Sequence, residues 1–224
     1  MAWSDPLSLY CERCGPGLWD EPFNAVSNVA FFTAAGVAFF QWRRAGSRDP
    51  ASLLLILVVV AIGIGSTIFH TVATRAALIG DIVPIAVFMA GYLVLALRRY
   101  LKLGIFLTLA ALAGFEIVSF GTPAILPPDL LNGSVSYLPA LLMLIALAAL
   151  LQLQTGASEV AAAHWLWLAT GIFIVSLLFR SIDFAVCSYF PVGTHFIWHC
   201  LNAAVLYVLL RAAIEWPRRD ASRA

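Results

Sequence analysis

The stretch Ala51–Val72 reads ASLLLILVVVAIGIGSTIFHTV, twenty-two residues without a Lys, Arg, Asp or Glu. A helix needs about 20 mostly apolar residues to cross a bilayer, so this stretch alone predicts a membrane span. Working outward, six more stretches qualify: Phe23–Trp42, Ala77–Leu97, Leu101–Phe120, Val135–Leu153, Ala163–Ile182 and Gly193–Ile214. The connections between them are mostly short, and Gly121–Ser134 and Asp183–Val192 read as turns. The composition agrees. Hydrophobic residues make up 62% and charged residues 11% of the 224-residue chain, too few charges to coat a soluble globule of this size. The predicted fold class is all-α and integral to the membrane: one seven-helix bundle over residues 23–216. A polar N-terminal segment (1–22) precedes it and a short basic tail (217–224) follows. A net charge of +1 provides no electrostatic footprint for nucleic acid.

Arg43, Arg44, Arg48, Arg98, Arg99, Lys102, Arg211, Arg218, Arg219 and Arg223 all fall on one side of the predicted bundle, which should be cytoplasmic. That puts the N-terminus outside and the C-terminus inside. Trp42, Trp165, Trp167 and Trp216 fall near the inner helix ends, as an interfacial belt would. The compactness of the chain suggests a bacterial inner membrane.

Ionisable groups inside a span are costly and are functional suspects by default. The second span ends in Gly65-Ser66-Thr67-Ile68-Phe69-His70. The third opens with Gly80-Asp81, and the seventh with His195-Phe196-Ile197-Trp198-His199. Three helices thus bring a Ser, three His and an Asp to one level of the outer leaflet. His195 and His199 are i, i+4 and share a helix face, with Cβ atoms about 5–6 Å apart; Ser66 and His70 repeat that spacing. Three neutral imidazoles plus an open fourth position suit a catalytic zinc site. A nearby carboxylate can take a proton, and a hydroxyl can steady an oxyanion. Taken singly, each of these residues has a plainer reading as an interfacial or hydrogen-bonded side chain, and only their convergence speaks for metal. Glu116 reads as either a group supporting the site or a snorkelling acid, and Asp183 as structural.

These residues resemble the alkaline ceramidase family, within the superfamily of seven-helix membrane hydrolases that includes the adiponectin receptors. The pattern S-x-x-x-H, then an Asp eleven residues on, then H-x-x-x-H opening the last helix, matches Ser66, His70, Asp81, His195 and His199. Cys11-Glu12, the run Glu21-Pro22-Phe23-Asn24-Ala25-Val26-Ser27-Asn28, and Ile182-Asp183 with Cys187 are similar to further family motifs. The resemblance implies an amide hydrolase that splits ceramide, a membrane lipid substrate, into sphingoid base and fatty acid. It implies zinc held by His70, His195 and His199, Asp81 as general base, Ser66 as oxyanion stabiliser, and a Cys11–Cys187 disulfide. The residues alone also allow Cys14 to pair with Cys11. The family binds calcium near its N-terminus; Glu12 and Glu21 match two of those positions, and Asp20 is the candidate replacement for ligands that Leu9, Tyr10 and Cys14 do not supply. A solvated acidic cap is the alternative for that cluster.

Competing functions are a retinal protein, a bis-histidine haem protein, and a zinc-containing receptor or lipid sensor without turnover. The first fails because Lys102, the single lysine, lies in a connection between spans rather than in the last helix. Haem assigns nothing to Ser66 and Asp81. The sensor retains the same site residues and differs only in turnover. Oligomeric state is not read from the sequence.

Overall fold

The computed structural model describes residues 2–46, 49–127 and 129–221, with side chains described up to 216. The basic tail 217–224 and Arg48 therefore fall outside what is described of side chains. Among the described residues there are seven helices long and apolar enough to span a membrane, and no strand, only an isolated bridge between Pro6 and Thr74. The helices are α1 (Pro22–Arg44), α2 (Pro50–Val72), α3 (Arg75–Tyr100), α4 (Ile105–Ile125), α5 (Ser134–Gln152), α6 (Ala157–Val186) and α7 (His195–Ala221).

Neighbours in sequence are neighbours in space, and α7 closes the ring against α1. The α7 helix also touches α2 and is the most buried of the seven, while α4 is the least. Outward faces carry Phe40, Leu54, Phe106, Phe120 and Ile125, fully apolar side chains left to the surrounding lipid.

Local chemistry sets the helix ends. Asp49 accepts from the Ala51 N–H and Pro50 opens α2, a standard N-terminal start. The α2–α3 turn is two residues long: Ala73 takes a left-handed conformation (φ +42°) and Thr74 caps α3 through the Ala77 N–H. In α1, Asn28 breaks the regular pattern because its side-chain amide donates to the carbonyls of Asn24 and Ala25.

Three expectations from the sequence shift. The sixth helix starts at Ala157 and runs to Val186, so Asp183 lies inside it rather than in a turn. The fourth starts at Ile105 and ends at Ile125, which moves Glu116 from near an end to mid-helix, half-buried. Trp216 does not sit in a belt but packs inward against Tyr100, with ring centroids 4.9 Å apart.

Candidate metal centre

Ser66 and His70 occupy the inward face of α2 in its last two turns, both buried. Asp81 faces them from α3. The two helices meet there through glycine: a Cβ on Gly65 would stand 2.1 Å from the Gly80 carbonyl oxygen and 3.3 Å from the Asp81 Cα. No other residue permits that approach, which brings Ser66 and Asp81 onto facing surfaces.

The start of α7 is held by a buried carboxylate. Asp183 Oδ1 accepts from the N–H groups of Thr194 (2.7 Å) and His195 (3.0 Å), and Oδ2 from the Cys11 N–H (2.9 Å). A negative group at a helix N-terminus satisfies donors that have no partner within the helix and meets the positive end of its dipole. Gly193 (φ +67°) makes the preceding turn, and a Cβ there would stand 2.3 Å from Asp183 Oδ1. The structural reading of Asp183 thus holds, and its carboxylate orients His195.

The three imidazoles are fully buried and meet at one point. Ring centroids are 4.7 Å apart for His70–His199, 4.5 Å for His195–His199 and 5.2 Å for His70–His195. One nitrogen from each lies within 4.8 Å of the others. Hydrogen bonding on the outer side of two rings decides which nitrogen faces inward. His70 Nδ1 pairs with Glu21 Oε2. Ser27 Oγ donates to the Asn24 carbonyl (2.8 Å), so at 2.8 Å from His199 Nδ1 it accepts that ring's proton. Both tautomers then leave Nε2 with a free lone pair. His70 Nε2 has no protein partner, nor has either nitrogen of His195. The His195 ring is instead stacked between Tyr10 (3.6 Å) and Trp198 (4.9 Å). Buried nitrogens without partners are costly, and a metal ion removes the cost. A carboxylate behind a ligating imidazole is the usual support of a metal site. The donor set fits a divalent ion that takes imidazole nitrogen.

Ser66 Oγ lies 3.5 Å from His199 Nε2, beside the vertex of the three rings. Asp81 is buried at the same level and interacts with Ser66, His70 and Arg180.

The N-terminal segment plugs this end of the bundle. The Cys11–Cys187 disulfide joins it to the α6–α7 connection, while Cys14 and Cys200 are free and exposed. Buried Arg13 pairs with Glu21 and donates to the His70 carbonyl. Glu12 accepts from the Phe23 and Asn24 N–H groups; burial pushes its carboxyl up, and those two donors only partly offset the effect. Asp20 accepts from the Gly17 N–H. Among the described residues, the three imidazoles are the one set of three His, Cys, Asp or Glu side chains with ligand atoms so close. Glu12, Asp20 and Glu21 are not brought together into such a set.

Beneath the imidazoles, toward the middle of the bundle, lies a small apolar cavity of about 50 Å³. Ile62, one turn from Ser66, Ile85, one turn from Asp81, and Asn202, one turn from His199, form its near wall.

Sequence reading missed Tyr10, Arg13, Asn24 and Ser27, and it gave Glu21 a different role. Glu21, Asn24 and Ser27 recur every third residue at the start of α1, a polar stripe on an apolar helix that was the available signal. Comparison with known proteins adds no identity: neither a family model nor a curated protein matches this chain.

Proposed function

We propose that this chain is an intramembrane, zinc-dependent amide hydrolase of the alkaline ceramidase type, splitting ceramide into sphingoid base and fatty acid. The observation that carries the reading is the convergence of three buried imidazoles, two with Nε2 turned inward, beside Asp81 and Ser66 and directly above an apolar cavity. His70, His195 and His199 would hold the ion. When bound, zinc supplies a Lewis acid that polarises an amide carbonyl and lowers the pKa of water to about 7.

The chain's own residues do the rest. The apolar cavity walls would receive the acyl carbons next to the carbonyl and so hold the amide at the level of the histidines. Asp81 takes the proton of the attacking water on a carboxylate oxygen and passes it to the leaving nitrogen as the C–N bond breaks. The Ser66 hydroxyl donates to the developing oxyanion. The N-terminal segment keeps bulk water off the site, and the lipid reaches it from within the bilayer. The basic residues at the far ends of the helices support an orientation with the site toward the outer leaflet, as in a bacterial inner membrane.

The test is ceramide hydrolysis by the purified protein in detergent, across acyl chain lengths, with and without added calcium. Turnover is expected, and Asp81→Asn should abolish it while metal content stays normal. If no N-acyl lipid is cleaved, the same residues belong to a zinc-containing lipid sensor, and the hydrolase reading is wrong.

A further inference from the structure

Arg180 lies within α6, close to two turns before its outer end, and the reaction above leaves it without a task. A charge inside a span is costly unless a partner meets it. Among the described residues no ion pair includes Arg180. Its guanidinium is held against two aromatic rings. It lies 5.4 Å from the Tyr137 ring centroid and 5.8 Å from that of Trp198, and the two rings are themselves 5.9 Å apart. Arg180 donates to the Asn132 carbonyl, and Asn132 Nδ2 donates back to the Arg180 carbonyl (3.0 Å). That tie leaves part of the guanidinium unused. Arg180 Nε is buried without a hydrogen-bond partner, and so is Nε1 of Trp198, a residue only 3% exposed. Buried N–H groups without acceptors are unfavourable.

Their surroundings indicate the missing acceptor. The Trp198 ring stacks on His195 at 4.9 Å. The charge of Arg180 reaches Asp81, His195 and His199. The two free N–H groups are therefore beside the three imidazoles, on the side of α5 and α6. Asp81 is not their partner, because it forms no ion pair with Arg180 and interacts with Ser66 and His70. Guanidinium and indole only donate, and the guanidinium fork matches a carboxylate, phosphate or sulfonate. A neutral acceptor would leave the charge uncompensated. Resting on the amide hydrolase reading, we infer that Arg180 and Trp198 form a subsite for an oxyanion that the lipid carries a few bonds from its scissile amide. The substrate class is then N-acyl lipids with an anionic head group, cleaved in preference to neutral ceramide. The acyl carbons enter the apolar cavity, so the oxyanion belongs to the amine side.

The experiment uses three N-acyl lipids of matched chain length, with a phosphate, a sulfonate or a neutral hydroxyl head group. The zinc-loaded wild type, Arg180→Gln and Arg180→Lys are compared by kcat/KM. The wild type should prefer at least one anionic lipid over the neutral one by about tenfold. Arg180→Gln keeps a donor for the Asn132 carbonyl but removes the charge, and it should bring the lipids level. Arg180→Lys should keep the order with a smaller ratio. The ratio between lipids is the deciding readout, because a merely structural Arg180 would lower rate and stability on all three alike. A wild type without preference, or a Gln variant that keeps it, overturns the inference. Melting temperature gives a readout without turnover. In metal-free protein, the anionic lipid should raise the melting temperature of the wild type more than the neutral lipid does, and this difference should vanish in Arg180→Gln. Inorganic phosphate and a free fatty acid distinguish the source of the oxyanion. A shift with either that needs Arg180, without any preference among the lipids, would make the bound group a free anion and refute the lipid assignment. If none of the lipids is cleaved, the hydrolase reading falls, and the melting shifts still decide whether Arg180 recognises the anionic head group.

Discussion

Glu21 does its work through another side chain. Its carboxylate holds His70 Nδ1 on one oxygen and Arg13 on the other, fixing the tautomer that turns Nε2 inward. Glu21→Gln keeps the shape and removes the charge. It should lower metal affinity about 10–100-fold with unchanged helix content, measured by chelator competition and circular dichroism; unchanged affinity would remove Glu21 as a support of the site. The histidines, Ser66 and Asp81 were legible because an ionisable group within a span stands out, and because i, i+4 spacing fixes a shared face. Glu21 was not legible in this role. A carboxylate just outside a span has many explanations, and its partner is 49 residues away. Tyr10 and Ser27 are ordinary residues in sequence and become part of the site only by contact.

Between elements, the contact of α2 with α3 depends on one hydrogen atom. Gly65 has no room for a Cβ, whereas a Cβ on Gly80, on the facing helix, meets nothing within 4 Å. Gly65→Ala should therefore force the helices apart and cost about 1–3 kcal/mol, with loss of turnover, because Ser66 and Asp81 separate. Gly80→Ala is the matched control and should be neutral or slightly stabilising through helix propensity. Thermal melts of the two variants in detergent check the contrast, and equal melting temperatures would refute the close-approach argument. Both glycines are plain in the sequence, yet only the packed pair shows which one is constrained. Helix ends follow a similar logic. Apolar runs mark what lies in lipid, whereas hydrogen bonding marks the helix, so α6 begins six residues before its apolar stretch and ends four after it.

The molecule as a whole is fastened at both ends. At the end where the histidines meet, the Cys11–Cys187 disulfide and Asp183 hold the N-terminal segment to the α6–α7 connection. At the far end, Arg99 of α3 donates to Asp49 at the start of α2 (2.7 Å) and to the Ala213 carbonyl of α7 (3.1 Å). Burial alone would push the Asp49 carboxyl up, but the Arg99 guanidinium and the Ser52 hydroxyl outweigh it and hold the carboxyl below the usual range. An acid depressed in the folded state contributes stability above its unfolded pKa of about 3.9, and that contribution fades as pH falls through the folded value. Asp49→Asn should thus lower the melting temperature by a few degrees throughout pH 5–7, and the gap to wild type should narrow only below about pH 4. A constant gap at pH 3 would show that the charge on Asp49 is not what fastens this end. The sequence by itself determined the fold class, the number of spans and the three histidines that converge in one buried cluster, because a bilayer leaves apolar length and misplaced polar groups as strong signals. The tertiary structure decided which nitrogen of His70 and His199 faces inward, what supports each, and where the cavity lies, because those depend on contacts between residues far apart in the chain, which no local pattern encodes.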